Sequence, residues 1–258
     1  MNSINKLFAD NKDRKLLSLY FCAGHPTLES TGNVIKTLQS RGVDMIEVGI
    51  PFSDPMADGP VIQQAATQAL RNGISLKKIF SQLKEIKDEV HIPLVLMGYL
   101  NVIMQYGIER FCRSCVECGV SGVIIPDLPF NEYLKLKPTA DKYDIRFIML
   151  ITPETSEERI RLIDRHTDGF IYMVSSASTT GTQKSFEEAK QEYFRRINGM
   201  QLHNPRMIGF GIGNRQTYET ARQNAAGAII GSKFVQLLAE AEGNPDVAMD
   251  RLYEALNN

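Results

Sequence analysis

The sequence predicts an α/β protein, a single TIM (β/α)8 barrel domain over residues 1–258 with an extra helix at its amino end. Short apolar runs of strand length alternate with longer amphipathic segments of helix length along the chain. Eight such units in about 250 residues favour a sheet that closes. The rival is an open doubly wound sheet, but no glycine-rich fingerprint follows the first predicted strand.

The first half of the chain supplies four of the strands. An amphipathic helix over 2–10 comes first, and Gly42 ends the helix that precedes the second strand. Turn residues such as Gly24 and Asn72-Gly73 separate the other segments. The predicted strands are 16–21, 45–49, 93–97 and 122–125, and the predicted helices are 28–41, 61–71, 76–90 and 108–118.

The second half repeats the alternation with four more strands. Pro138 is expected in the first turn of a helix that begins at Leu136, where proline is tolerated. A polar segment over 175–184 follows the sixth strand. The predicted strands are 145–150, 170–174, 207–209 and 228–230, and the helices are 136–143, 156–165, a stretch to about 197, 216–223, 234–241 and one from about 246.

Charge and composition exclude several classes of function. The formal net charge is −1, which gives no electrostatic reason to expect nucleic acid or an anionic membrane as partner. No apolar run reaches the eighteen or so residues of a membrane span, so we expect a soluble, cytoplasmic protein. The four cysteines are expected to be reduced thiols, because no secretory signal precedes them.

Cysteines and histidines do not predict a metal site. Cys112, Cys115 and Cys118 have the spacing of an iron–sulfur run, but the fourth cysteine of such a run is absent. The segment has helical periodicity, which makes these thiols small core hydrophobes. The four histidines show no metal-ligand spacing, and we expect no metal.

A lone carboxylate interrupts the apolar second strand. Met45 and Glu47 project to one side of this strand, and Ile46 and Val48 to the other. A buried carboxylate loses its hydration, so such a residue is uncommon without a chemical reason. Asp58, in the following loop, supplies a second carboxylate, although it could instead be the N-cap of the next helix.

Other polar residues end the later strands, where barrels place their catalytic groups. Tyr99 follows the predicted third strand, and Tyr172 lies near the end of the sixth. Asp127 lies in a Pro-Asp-Leu-Pro loop, and it is equally well explained as a turn residue or as a site residue.

Glycine recurs after the last three strands, in Thr180-Gly181, in the stretch 209–213 and in Gly231-Ser232. Barrels commonly bind phosphate at these loops through backbone N–H groups and a helix N-terminus. Three successive loops of this type predict a phosphate site, although one alone would only indicate a turn.

The motifs together resemble the α subunit of tryptophan synthase, over almost the whole chain. They are EVGIPFSDPMADGPVIQ, LMGYLN, PDLP, YMVSSASTTG and GFGI, in that order. The resemblance implies a lyase of tryptophan biosynthesis that cleaves indole-3-glycerol phosphate to indole and glyceraldehyde 3-phosphate. It also implies no cofactor in this chain, an α2β2 complex with a pyridoxal-phosphate-dependent β subunit, and loops after the second and fourth strands that face this partner.

The resemblance also assigns residues. Glu47 and Asp58 correspond to the two catalytic acids. The chemistry of the implied reaction makes Glu47, protonated in a partly apolar barrel mouth, the candidate proton donor to indole C3, and Asp58 the ionised acceptor of the indole N–H. Ser178 departs from the family, which usually has glycine there. The implied substrate-binding residues are Phe21, Leu96, Tyr99, Tyr172 and Phe210 around the indole and glycerol, and Thr180, Gly181, Gly211, Gly231 and Ser232 near the phosphate.

Two other functions are compatible with a barrel of this kind. One is an isomerase or aldolase of another phosphosugar, but no predicted strand end supplies the lysine of a Schiff-base aldolase. The other is a regulatory subunit without activity, for which loss of Glu47 or Asp58 would be the expected sign. Both residues are present.

Overall fold

The computed structural model describes residues 1–175 and 183–258, with the backbone alone for 183–187. Within them, eight parallel strands form a closed barrel in chain order, and β8 pairs with β1. This confirms the predicted TIM barrel. The strands are β1 (Leu16–Cys22), β2 (Met45–Gly49), β3 (Leu94–Met97), β4 (Val120–Ile124), β5 (Arg146–Ile151), β6 (Ile171–Val174), β7 (Arg206–Gly209) and β8 (Gly227–Ile230).

Helices connect the strands and surround the barrel. The predicted extra helix is present as α1, which precedes β1. The described helices are α1 (Ser3–Asp10), α2 (Ser30–Ser40), α3 (Pro60–Arg71), α4 (Leu76–Ile86), α5 (Leu100–Tyr106), α6 (Ile108–Glu117), α7 (Phe130–Lys142), α8 (Glu157–His166), α9 (Gln183–Gly199), α10 (Arg215–Asn224), α11 (Ser232–Glu240) and α12 (Pro245–Asn257), with a 3₁₀ turn at Lys87–Glu89.

Two helices differ from the prediction. Helix α5 lies between the predicted strand 93–97 and the predicted helix 108–118, where no helix was predicted, and α7 begins at Phe130, six residues before the predicted start. Pro138 is therefore inside α7 and not in its first turn. A proline there removes the amide that would bond to the Leu134 carbonyl. Leu134 is 39% exposed, so water can reach this part of the helix.

Strand register determines which side chains share a face. Tyr20 of β1 pairs with Glu47 of β2, which pairs with Val95 of β3. Side chains that are in register on neighbouring strands point to the same side of the sheet. Phe21, one residue later on β1, therefore points to the other side.

Hydrogen bonds tie the amino-terminal end of the barrel together. The Asn2 side chain donates to the carbonyls of Ser121 and Asp144, and Ile4 of α1 is fully buried. At the start of β2, Asp44 accepts two hydrogen bonds from the Arg14 guanidinium and a third from the Leu17 amide at 2.8 Å. These buried polar groups have partners, as stable structure requires.

The cysteines belong to the hydrophobic core. Cys22, Cys112, Cys115 and Cys118 are free and buried, and the last three belong to α6 and its C-cap. Among the described residues, no group of three or more His, Cys, Asp or Glu side chains is arranged to hold a metal ion. Nor is any helix in the described ranges long and apolar enough to cross a membrane.

Candidate active site

A cavity of about 390 Å³ lies among the strand ends and the loops that follow them. This volume is within the range of small-molecule sites. Its apolar wall includes Ile62, Met97, Phe210 and Ile229. It is also lined by two carboxyl groups, on β2 and in the loop after it, and by glycines that follow β7 and β8.

Glu47 faces the cavity from the middle of β2 and is fully buried. Neither of its carboxyl oxygens has a hydrogen-bond partner among the described residues. Burial raises the pKa of the Glu47 carboxyl to about 8, and the nearby Ser18 hydroxyl opposes this by a smaller amount. The Ser18 oxygen is likewise buried with no partner of its own in hydrogen-bond geometry. At neutral pH, Glu47 is therefore mostly protonated.

Asp58 reaches the cavity from the loop between β2 and α3. The Tyr99 hydroxyl donates to Asp58 Oδ2 at 3.0 Å and accepts from the Ala57 amide at 2.9 Å. Burial raises the pKa of the Asp58 carboxyl, while the Tyr99 hydrogen bond lowers it. Gly59, not Asp58, is the N-cap of α3, so the N-cap interpretation of Asp58 is wrong.

Two tyrosines enter the cavity next to glycines. A Cβ atom at Gly49 would overlap the Tyr20 hydroxyl, and one at Gly209 would overlap the Tyr172 hydroxyl. Each ring thus fills space that a side chain would otherwise occupy. Tyr172 also packs edge-on against Phe210, with ring centroids 5.9 Å apart.

Gly211, Gly213 and Gly231, which follow β7 and β8, line one side of the cavity, here called the glycine end. Gly231 is the N-cap of α11, and no side chain caps this helix. Ser232, Lys233 and Gly213 also line the cavity there. Gly211 has φ of +68°, a conformation that favours glycine. Free N–H groups at a helix start and a nearby lysine can hold an anion such as phosphate.

The structure brings together seven of the residues singled out in the sequence: Glu47, Asp58, Tyr172, Phe210, Gly211, Gly231 and Ser232. Tyr99 contacts Asp58 and not the cavity itself. Phe21 and Leu96 are fully buried away from it. Thr180 and Gly181, with Ser178, lie outside the described residues.

Sequence reasoning missed Tyr20 and Met97, which line the cavity next to Phe21 and Leu96 in the chain. Alternation along β1 separates Tyr20 from Phe21, but only the register that pairs Tyr20 with Glu47 in the structure shows that Tyr20 is on the cavity side. Asp127 accepts a hydrogen bond from the Leu100 amide at 2.9 Å and does not line the cavity, so it acts as a cap for α5.

Comparison with known proteins identifies the family. A sequence model of the tryptophan synthase alpha chain matches residues 8–258. The chain is 66% identical to a tryptophan synthase alpha chain from Phocaeicola vulgatus over the full length of both, and 64% identical to one from Parabacteroides distasonis over 99% of both.

Solved structures agree with the sequence comparison. The fold resembles a crystal structure of tryptophan synthase subunit alpha from Legionella pneumophila, with a TM-score of 0.89, 33% identity, and coverage of 99% of this chain and 97% of that one. It also resembles a tryptophan synthase complex from Pyrococcus furiosus, with a TM-score of 0.83, 31% identity, and coverage of 93% and 97%. The resemblance found in the motifs is confirmed, and the chain belongs to the tryptophan synthase alpha chain family.

Proposed function

We propose that Glu47 and Asp58 carry out the reaction of this alpha chain, the retro-aldol cleavage of indole-3-glycerol phosphate to indole and glyceraldehyde 3-phosphate. The observation that carries the proposal is the Glu47 carboxyl, which is fully buried beside the cavity and has a pKa of about 8. Such a group can donate a proton at neutral pH and, once ionised, can accept one.

Glu47 serves as the acid and then as the base. It first transfers its proton to indole C3, which leaves a positive charge on the ring system. The ionised carboxylate then takes the proton of the hydroxyl on the adjacent glycerol carbon. As that hydroxyl becomes the aldehyde, the bond to C3 breaks and its electron pair neutralises the ring. Glu47 is protonated again, ready for the next turnover.

Asp58 stabilises the positive charge that builds on the ring nitrogen. As a carboxylate it accepts the indole N–H, and the interaction is strongest when the ring is charged. The hydrogen bond from Tyr99 supports this role, because it favours the ionised form and holds the side chain on its loop. The scheme thus assigns the acid form to Glu47 and the ionised form to Asp58, two carboxyl groups of one cavity.

The phosphate of the substrate is placed at the glycine end. Gly211, Gly231 and Ser232 offer backbone approach and the start of α11, and Lys233 adds a positive charge. Around the indole and glycerol, Tyr20 and Met97 join Tyr172 and Phe210 as contacts. Thr180 and Gly181 remain proposed substrate contacts by family resemblance.

The β subunit is the partner of this chain in an α2β2 complex, and the alpha chain uses no cofactor, because pyridoxal phosphate is bound by the β subunit. The exposed loop around Met56, a side chain that is 93% exposed, is the surface we assign to this contact, together with the Asp127 loop. We further propose that residues 1–258 form one domain, and that this biosynthetic enzyme acts in the cytoplasm.

Indole release tests the proposal directly. The protein is incubated with indole-3-glycerol phosphate, with and without a tryptophan synthase β subunit, and indole and glyceraldehyde 3-phosphate are measured. We expect equal amounts of both products without added cofactor, and faster release with the partner. If neither condition gives indole, the proposal is wrong.

A further inference from the structure

Tyr20 is a cavity residue to which neither the motifs nor the catalytic scheme assigns a chemical task. Its ring packs between the ends of the two strands that flank β1. Near Gly231, a Cβ atom would lie 3.5 Å from Tyr20 Cβ and 3.6 Å from Cδ1. At the other end of the ring, the hydroxyl lies over Gly49.

These two contacts orient the ring along the cavity. Gly231 belongs to the glycine end, where the phosphate is proposed to bind. Gly49 follows Glu47 by two residues on β2, so it lies on the side of the cavity where the carboxyl groups are, here called the carboxyl end. The Tyr20 side chain therefore runs from the phosphate position toward the carboxyl groups, and its hydroxyl is at the carboxyl end.

The position of the hydroxyl is built into the strands. Gly49 pairs in register with Cys22, two residues after Tyr20. Tyr172 has the same relation to its own neighbour, because Gly209 pairs with Val174. In both places, a glycine at the end of the next strand admits the tyrosine hydroxyl. Because glycine has no side chain, each tyrosine ring can lie over the end of the neighbouring strand, and this sets the direction in which its hydroxyl points.

The Tyr20 hydroxyl makes no hydrogen bond among the described residues, and the residue is 7% exposed at the wall of the cavity. It donates neither to Glu47 nor to Asp58 in this structure. Burial raises the pKa of the Tyr20 hydroxyl well above its usual value, with a further contribution from nearby ionisable groups that include both carboxyls. The group thus stays a neutral donor at any working pH.

We infer that Tyr20 is a specificity-determining residue whose hydroxyl donates a hydrogen bond to a hydroxyl of the glycerol chain of the substrate. This inference rests on the proposed function, since it takes the substrate to be indole-3-glycerol phosphate. The glycerol chain joins the phosphate to the indole, and the Tyr20 ring spans the same interval between the two ends of the cavity. Its hydroxyl accordingly distinguishes a hydroxylated chain from a plain alkyl one.

A pair of ligands isolates this contact. Indole-3-glycerol phosphate and indole-3-propanol phosphate share the ring and the phosphate, but the second has neither chain hydroxyl. Binding of each is measured by calorimetry to Glu47→Gln, in which turnover is blocked, and to the same variant with Tyr20→Phe. Tyr253→Phe is the matched control, because its hydroxyl donates to the Arg41 carbonyl at 2.6 Å and does not line the cavity.

Loss of one neutral hydrogen bond is expected to weaken binding of indole-3-glycerol phosphate about three- to tenfold. Binding of the propanol analogue should be unchanged, and Tyr253→Phe should change neither. Equal weakening of both ligands would overturn the inference, because it would mean that Tyr20 acts on the shape of the cavity or on a carboxyl group. So would the absence of any weakening. Indole release by the wild-type protein is measured separately, so failure of the proposed function is recognised independently.

Discussion

Two acidic residues three positions apart, one just before β2 and one in its middle, have opposite environments. Asp44 is 8% exposed and accepts hydrogen bonds from the Arg14 guanidinium and the Leu17 amide. Glu47 is fully buried, and its oxygens have no partner among the described residues. The first arrangement stabilises a charge, whereas the second disfavours it.

The two acids have different roles: Asp44 contributes to stability, and Glu47 is proposed to take part in the reaction. At the amino-terminal end of the barrel, the buried Asp44 carboxylate and Asn2 side chain are paired, and their hydrogen bonds contribute to folding. At the opposite end, Glu47 is left without a protein partner where it can exchange a proton with a substrate. A buried acid alone therefore does not indicate a site, but a buried acid without partners beside a cavity does.

The sharpest test of the contrast is Glu47→Gln. We expect activity to fall about 10²- to 10⁴-fold, because the amide cannot transfer a proton. The fold should be retained, since the amide matches the neutral acid in shape. Indole release gives the activity, and circular dichroism gives the fold.

The stability of this variant provides the control. Between pH 4.5 and about 8 the unfolded protein has lost the Glu47 proton, while the folded protein keeps it. Wild-type stability therefore decreases as the pH rises through this window. Glu47→Gln should be at least as stable as the wild type at pH 9. A variant that is inactive because it is unfolded would leave the catalytic assignment without support.

Asp44→Ala should have the converse effect. Removal of the carboxylate leaves the Leu17 amide and the Arg14 guanidinium without their acceptor, at a cost of about 2 kcal/mol, or about 30-fold in the unfolding equilibrium. The half-exposed Arg14 side chain keeps this figure modest. Denaturant titration measures the loss. The kcat of the folded protein should remain unchanged, and a large decrease in kcat would erase the distinction between the two acids.

The pH dependence of activity tests the protonated state of Glu47. Because the free enzyme must carry this proton, kcat/KM should decrease about tenfold per pH unit above pH 8. Indole release between pH 6 and 10 gives the profile, with protein stability checked at each pH. A profile that stays flat through pH 9.5 would mean that Glu47 does not act as the acid.

Tyr99→Phe is expected to have the smallest effect. It removes one hydrogen bond to Asp58, so kcat should fall about three- to tenfold. It should also raise the pKa of Asp58, because the hydrogen bond that lowers this pKa is lost. Activity that requires ionised Asp58 should then begin to fall at a higher pH as the solution is made more acidic, which shifts the acidic limb of the pH–activity profile. Tyr106→Phe serves as the control, since its hydroxyl contacts Ser114 away from the cavity. A lower kcat without the shift of the acidic limb would show that Tyr99 does not act through Asp58.

The sequence predicted the barrel well because β-α alternation and turn residues are local signals. The bounds of β2 match the prediction, since a short apolar run ends at Gly49. Helix α5 was not predicted because its seven residues, Leu100–Tyr106, are too few to show helical periodicity. In α7, the presence of Pro138 moved the predicted start too far along the chain.

The candidate site was predictable where residue type carries the signal. Glu47 and Asp58 are carboxylates in unusual positions, and the glycines recur after successive strands. Tyr20 and Phe21 could not be separated in this way. Both sides of a barrel strand are buried, so an apolar run shows no alternation that tells the inner face from the outer one. Only the register with Glu47 distinguishes them.

The contact between Tyr20 and Gly49 also limits how this chain can change. Any residue larger than glycine at position 49 competes with the tyrosine for the same volume. A change at either position is therefore conditional on the other, although the two lie on different strands. Gly49→Ala should become tolerable only after Tyr20 is replaced by a smaller residue, so the two positions form one mutational unit, and the same holds for Tyr172 and Gly209.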